Sequence, residues 1–140
     1  MELSRRLSSR GYRRTRQRDA VFDVLAENAG RPMKAEEVLV LAKEKAPGIG
    51  IATVYRALEL FVELGVAQQV HLHERSQHYE VDTGHHHHYM VCVSCGSREQ
   101  LDACTMDKLE DVIKDETDFL VTSHCLGLWG YCSSCLPGKA

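Results

Sequence analysis

Residues 85–95 read HHHHYMVCVSC, so four consecutive histidines lead directly into the pair Cys92 and Cys95. A second Cys-x-x-Cys pair, Cys132 and Cys135, follows near the end of the chain. Four thiolates in two closely spaced pairs are the donor set of a closed tetrahedral zinc site, with each pair at a tight turn. The sequence therefore predicts a structural Zn(II) site that fastens two distant segments together.

The bulk composition is that of a globular protein with one ordinary domain or two small ones. The chain has 140 residues, of which 44% are hydrophobic and 26% charged. No apolar run approaches the roughly 20 residues that span a bilayer, and the N-terminus lacks the apolar core of a secretory signal. Six cysteines in such a chain favour metal binding in a reducing cytoplasm over disulfides. We therefore expect a cytoplasmic protein without membrane contact.

The formal net charge of −3 is unevenly distributed. Seven arginines fall within the first 18 residues, where Glu2 is the only acidic residue. The half of the chain after residue 65 is acidic and rich in histidine. An arginine cluster attracts phosphates, whereas an acidic, imidazole-rich segment attracts cations. The alternative is a solvated helix face.

Apolar periodicity predicts a winged helix-turn-helix in the first half. Helices are expected before Gly11 and at about residues 15–28, 34–45 and 52–64, with Thr15 as the N-cap of the second. Strands are expected at about 67–73 and 78–82. The last two helices, joined by a short Pro/Gly turn, form a helix-turn-helix, and the two strands form its wing. We place a DNA-binding domain at residues 1–83.

A smaller α/β unit is predicted at residues 84–140, which makes the whole chain α+β. Strands are expected at about 85–91, 97–101, 119–123 and 126–131, with an amphipathic helix at about 106–114. A unit of this size has little core of its own. The four-cysteine zinc site and burial against a second copy would both stabilise it, so we expect a dimerisation domain.

The start of the fourth helix predicts contacts with base edges. The second helix of a helix-turn-helix enters the major groove, and its first residues include Thr53, Tyr55 and Arg56. Tyr55 can contact a thymine methyl group or a phosphate, and Arg56 can pair with a phosphate or a guanine. The alternative is that Tyr55 packs in the core and that Arg56 is solvated.

Four collinear stretches resemble the ferric uptake regulator (Fur) superfamily. They are GYRRTRQR at 11–18, IATVYRAL at 51–58, the histidine run into CVSCG at 85–96, and GYC at 130–132. The resemblance implies a homodimeric, metal-activated transcription factor, usually a repressor, that binds AT-rich palindromic DNA. Members of the superfamily sense iron, zinc, manganese, nickel, haem or peroxide.

The resemblance assigns DNA contacts and the structural zinc site. It implies that Tyr55 and Arg56 contact the groove, that Arg13 reaches into the minor groove, and that Arg18 contacts a phosphate. The family's structural zinc site falls on all four cysteines of the two pairs: Cys92, Cys95, Cys132 and Cys135.

A second metal site is implied on one face of the histidine strand. Strand alternation places His86 and His88 on the same face. The family's site adds an acidic residue and a late histidine, which by ungapped counting fall on Asp107 and His124. Imidazoles with one carboxylate suit Zn(II), Fe(II) or Ni(II).

A third, hinge site between the domains matches the family only in part. Glu80 and His87 match two of its ligands. The remaining ligand positions are occupied by Arg31, Tyr89 and Gln100. His71 and His73, two apart on a predicted wing strand, could substitute, although they could equally be exposed polar residues.

The predicted function is a metal-responsive transcriptional regulator that senses Fe(II) or Zn(II), with Mn(II) and Ni(II) possible. A zinc-, nickel- or peroxide-sensing member of the superfamily is the nearer alternative. A zinc-stapled redox or interaction protein without DNA binding is an alternative of a different class. We expect no enzyme, because neither Cys-x-x-Cys pair has the setting of a thioredoxin motif. We interpret Cys104 and Cys125 as buried structural thiols, ahead of a redox or metal role.

Overall fold

A computed structural model describes residues 2–72, 75–102, 104, 106–122 and 124–138. The chain divides into two compact units. The first comprises Met1–Val70 with Glu74–Gly84, and the second comprises His71–His73 with His85–Ala140. Within the described ranges, no helix has the length and apolarity needed to cross a membrane.

The first unit contains four helices and a small antiparallel sheet. Its elements are α1 (Glu2–Ser9), α2 (Arg16–Glu27), β1 (Met33–Lys34), α3 (Ala35–Lys45), α4 (Ile51–Glu63), β2 (Ala67–Val70) and β3 (His78–Val81). The strand order is β1-β3-β2, so β3 is the central strand. Its residue Tyr79 lies between Met33 on β1 and Gln69 on β2. The short strand β1 escaped prediction, because two residues give no readable alternation.

The helices form where the apolar spacing predicts them. Thr15 caps α2, since its hydroxyl accepts a hydrogen bond from the backbone N–H of Arg18 at 3.2 Å, which confirms the predicted N-cap. Phe22 and Phe61 meet edge to face with their ring centroids 5.7 Å apart. A continuous core of buried apolar side chains joins the helices and extends to Tyr79 on β3. The first unit therefore has a hydrophobic core of its own.

Helix α4 packs one side against the core and exposes the other side to solvent. Val54, Leu58 and Phe61 are fully buried, whereas the start of the helix leaves Ile51 and Arg56 exposed. Gly65, with φ +69°, ends the helix in the left-handed conformation that glycine tolerates best. Helices α3 and α4 correspond to the two helices of the predicted helix-turn-helix.

The second unit is a three-stranded sheet with one helix. Its elements are β4 (His88–Cys92), β5 (Arg98–Leu101), α5 (Met106–Thr117) and β6 (Gly127–Gly130). The central strand β4 pairs antiparallel with β5 and parallel with β6. His88 lies opposite Leu101, and Tyr89 lies opposite Gly127.

The second unit buries little apolar surface. Among its described residues, the buried apolar side chains are those of Leu72, Tyr89 and Cys92, and α5 contributes none. The predicted strand at 119–123 is absent over its described residues, 119–122. No ladder partner faces that segment in the described part of the chain, and Phe119 and Leu120 are 64% and 71% exposed. A strand needs a neighbouring strand for its backbone groups, so apolar content alone misled the prediction.

Candidate metal centres and nucleic-acid interface

The two Cys-x-x-Cys pairs lie on tight turns that the sheet brings together. The backbone N–H of Gly96 donates to the carbonyl of Cys92, and that of Cys135 donates to the carbonyl of Cys132. The N–H of Val93 donates to the carbonyl of Gly130 at 2.8 Å, which ties the first turn to the end of β6. The parallel pairing of β4 with β6 therefore places both pairs at the same edge.

The four sulfur atoms converge on one point. The Sγ atoms of Cys92, Cys95, Cys132 and Cys135 all lie within 4.8 Å of one another. Cys95 Sγ and Cys132 Sγ are 3.8 Å apart. A tetrahedral zinc ion with Zn–S bonds of about 2.3 Å requires S···S edges of about 3.8 Å. The donor set and its spacing fit a structural Zn(II).

The thiols influence one another's ionisation. Backbone N–H groups of Cys132 and Cys95 lower the pKa of Cys92 to about 6. The Ser94 hydroxyl lowers the pKa of Cys135, but the thiols of Cys132 and Cys95 outweigh it and raise the pKa to about 12. The pKa of Cys95 is also lowered, chiefly by its hydrogen bonds with Ser97, so the thiols of the cluster differ in how readily they ionise. A divalent cation favours the thiolate form, because a coordinating thiol is deprotonated.

A second cluster lies in the same unit and is formed by His86, His88, Cys104 and His124. Its four donor atoms also lie within 4.8 Å of one another. Tyr89 is paired in parallel with Gly127, and His86 and His124, each three residues earlier in the chain, lie side by side ahead of the paired strands. His88 lies opposite Leu101, so the chain that leaves β5 brings Cys104 past His88.

The donor atoms of the second cluster lie close enough together to bind a single ion. The Nε2 atom of His86 lies 3.1 Å from Nε2 of His88 and 2.8 Å from Nε2 of His124. Cys104 Sγ lies 3.2 Å from Nε2 of His88 and 3.6 Å from Nε2 of His124. Around zinc, the expected edges are about 3.3 Å for N···N and about 3.5 Å for N···S. The observed spacings differ from these by about 0.5 Å or less.

The structure brings together three of the four residues predicted for this site. His86, His88 and His124 converge, but Cys104 occupies the fourth position instead of Asp107. Asp107 lines the adjoining cleft from the first turn of α5. Ungapped counting could not detect this difference, because it depends on how the loop between β5 and α5 turns. The expected burial of Cys104 and Cys125 is wrong, since Cys104 is half-buried and Cys125 is exposed.

Glu110, one helical turn after Asp107, contacts His124 on the side of its ring that faces away from the cluster. Its Oε1 atom accepts a hydrogen bond from Nδ1 of His124 at 2.8 Å. A proton held on Nδ1 leaves the lone pair on Nε2, which faces the cluster. Glu110 was not among the predicted site residues, although its spacing of three from Asp107 on an amphipathic helix places both carboxylates on one face.

The environment keeps His88 in its ligand form. His88 is 4% exposed, and burial lowers the pKa of its imidazole, with further lowering by His86, His124 and His87. A neutral imidazole has a lone pair for a metal ion, whereas imidazolium has none. The clustering of three imidazoles therefore favours cation binding over proton binding.

The residues predicted for the hinge site fall in different units. Glu80, in the first unit, is 1% exposed, and its Oε1 atom accepts a hydrogen bond from Nε2 of Gln68. His87, in the second unit, is half-buried, with its Nδ1 atom 3.0 Å from the carbonyl oxygen of His85. His71 is exposed, and His73 lies outside the described residues. A hinge site formed by these residues stays a prediction.

The start of α4 presents the residues predicted to read DNA. Arg56 is exposed, and Thr53 and Tyr55 are half-buried. The hydroxyl of Tyr55 donates to Oε1 of Glu36 on α3 at 3.0 Å, and this hydrogen bond raises the pKa of Tyr55. The carboxylate of Glu36, which was not among the predicted site residues, therefore holds the hydroxyl of Tyr55 in place.

The predicted arginines lie at the start of α2. Arg13 is exposed, and its carbonyl oxygen accepts a hydrogen bond from Nη1 of Arg18. The guanidinium of Arg18 also lies over the ring of Tyr12, 5.6 Å from its centroid. Arg18 is thus held against the segment that carries Arg13, and the guanidinium of Arg13 faces solvent.

Comparisons with known proteins agree on one family. The model of the ferric uptake regulator family matches residues 9–129. The ferric uptake regulation protein of Bacillus subtilis is 35% identical over 95% of this chain and 91% of its own length. The Fur structure from Vibrio cholerae has a TM-score of 0.73 at 28% identity, covering 93% of this chain and 99% of that chain. The Fur structure from Helicobacter pylori shares the fold at 20% identity, with a TM-score of 0.77 over 99% of this chain and 91% of that chain.

Proposed function

The chain belongs to the ferric uptake regulator family, and on that premise we propose that it is a repressor that binds operator DNA as a homodimer when metal is bound. It is a metal-responsive transcription regulator of the Fur family. The matched relatives are regulators, and we propose a regulatory role without catalysis. We propose that it acts in the cytoplasm, where thiols stay reduced.

One observation carries the proposal. The second unit contains two separate convergent donor clusters, one of four sulfurs and one of three imidazoles with a thiol. A closed four-sulfur site stabilises a fold, and a second site is then available to respond to metal supply. We propose that His86, His88, Cys104 and His124 bind Fe(II) or Zn(II), with Mn(II) and Ni(II) as alternatives.

The first unit supports DNA binding. Helix α4 buries its apolar side and leaves the side with Thr53, Tyr55 and Arg56 accessible to a major groove. Exposed arginines at 5, 10, 13 and 14 add charge that neutralises phosphates. We propose AT-rich palindromic duplexes as operators, since a dimer reads two half-sites related by symmetry.

The second unit supports dimerisation. Several of its large apolar side chains are exposed: Leu109, Val112, Phe119, Leu120, Leu128, Trp129 and Tyr131. An isolated unit with so few buried apolar side chains is marginal, and exposed apolar patches mark interaction surfaces. We propose that a second copy covers α5, the segment at 119–122 and β6.

Binding of operator DNA is expected to require the second metal ion. Duplexes would be selected from a random pool with protein loaded with Zn(II) at both sites, and the selected duplex then titrated with protein that keeps only the four-sulfur ion. Coupling between two sites is typically 5–150-fold, so we expect affinity to fall by about tenfold or more when the second ion is removed. Equal affinity in both states would contradict the proposal.

The same duplex separates the DNA contact predicted for Arg13 from general charge effects. The slope of log K against log salt should become shallower by about one unit in Arg13→Ala, because a guanidinium in the minor groove releases counterions from the phosphates beside it. Lys108→Ala is the matched control, since it removes one exposed cation from α5. A slope changed equally by both substitutions would reject Arg13 as a DNA contact.

A further inference from the structure

We propose that Cys104 makes the second metal centre a thiolate site that selects Zn(II) over Fe(II) and Mn(II). The inference deepens the proposed function and rests on it, because it names the metal that the second cluster takes. It concerns a residue that sequence reasoning assigned to the protein interior.

The position of Cys104 is the first step. Its sulfur lies 3.2 Å from Nε2 of His88 and 3.6 Å from Nε2 of His124. These two contacts, together with the convergence of all four donor atoms within 4.8 Å of one another, place the sulfur beside the three imidazoles as a fourth ligand. Cys104 is half-buried on a short segment between β5 and α5, where the strand register brings it past His88.

The nearby carboxylates are the second step. Asp102, Asp107 and Glu110 line the cleft beside the cluster. Within the described ranges, none of them joins the group of convergent donor atoms. Glu110 is engaged with Nδ1 of His124, on the side of the ring away from the cluster. The carboxylate oxygens therefore lie around the cluster, and the sulfur of Cys104 is the atom that lies among the imidazole nitrogens.

Donor chemistry gives the selectivity. Soft thiolate ligands with imidazoles in tetrahedral geometry suit Zn(II), whereas Mn(II) prefers oxygen donors in octahedral geometry. The affinity order of divalent ions already places Fe(II) and Mn(II) below Zn(II), and a thiolate widens that gap. A carboxylate in place of Cys104 would keep the charge and the number of ligands but remove the preference for a soft ion.

The test uses full-length protein that holds zinc in the four-sulfur site, with the second site titrated by Co(II) in the absence of DNA. Because the other four ligand sulfurs are occupied by zinc, a near-ultraviolet sulfur-to-cobalt charge-transfer band reports Cys104. We expect this band, together with the intense visible bands of tetrahedral Co(II), in the unmodified protein and in Cys125→Ser. Cys104→Asp and Cys104→Ser should lack the charge-transfer band.

Competition titrations then measure selectivity. The ratio of Zn(II) to Mn(II) affinity is expected to fall by about tenfold or more in Cys104→Asp and to stay unchanged in Cys125→Ser. Absence of the charge-transfer band in the unmodified protein, or an unchanged affinity ratio in Cys104→Asp, would overturn the inference. Neither readout involves DNA, so failure of the inference differs from failure of the proposed function, which is a loss of metal-dependent operator binding.

Discussion

Cys132→Ser is expected to release the ion from the four-sulfur site and to unfold the second unit while leaving the first folded. A serine hydroxyl replaces a thiolate poorly as a zinc ligand. In zinc-finger peptides, the binding free energy of structural zinc is about 10–16 kcal/mol and is also folding free energy. The second unit has only Leu72, Tyr89 and Cys92 as buried apolar side chains among its described residues. The first unit has its own core.

Zinc quantitation and hydrogen exchange measure this effect together. Cys132→Ser should lose the ion and the amide protection of β4, β5 and β6, while α2 and α4 remain protected. Cys125→Ser is the matched control, because Cys125 is exposed and lies outside both clusters. Retention of zinc and of strand protection in Cys132→Ser would contradict the assignment of a structural site.

The double substitution His86→Ala with His124→Ala is expected to abolish the response of operator binding to metal. These rings meet at 2.8 Å between their Nε2 atoms, so their removal takes away half of the second donor set. Affinity for the selected duplex in excess Zn(II) should fall by about tenfold or more, to the level of protein lacking the second ion. The fold should persist, because His86 is exposed and the four-sulfur site is untouched.

His85→Ala provides the control within the same histidine run. His85 is exposed and is not part of the convergent cluster. Its carbonyl oxygen, which lies 3.0 Å from Nδ1 of His87, remains after substitution. Metal-dependent operator binding should therefore be unchanged. Loss of the metal response in both variants would point to the histidine run as a whole, and a full response in the double variant would reject the second cluster as the sensor.

Local patterns were sufficient to predict most of the fold. The N-cap at Thr15 and the end of the fourth helix near residue 64 are signalled by neighbouring residues, and both occur in the structure. The α+β architecture with its four-cysteine cluster also follows from short-range signals, because each Cys-x-x-Cys pair defines its own turn. The segment at 119–122 could not be predicted in this way, since strand formation depends on a partner strand.

The second cluster shows where sequence reasoning ends. His86 and His88 are readable from strand alternation, and His124 from the family resemblance. Cys104 enters only through the antiparallel register of β4 with β5, which no local pattern specifies. Glu36 is similar, because its contact with Tyr55 depends on the crossing of α3 and α4. Cys104 and Glu36 reach their partners through tertiary contacts, so counting along the sequence could not assign their roles.

X-ray absorption at the zinc edge tests the two-centre assignment most directly. With one equivalent of zinc, the ion should have four sulfur neighbours at about 2.3 Å. With two equivalents, the spectrum averages a site of four sulfurs with a site of three nitrogens and one sulfur. The expected average is about 2.5 sulfurs and about 1.5 nitrogens per zinc, with the nitrogens at about 2.0–2.1 Å. A second equivalent surrounded only by oxygen or bound without fixed ligands would contradict the assignment of His86, His88, Cys104 and His124 as a metal centre.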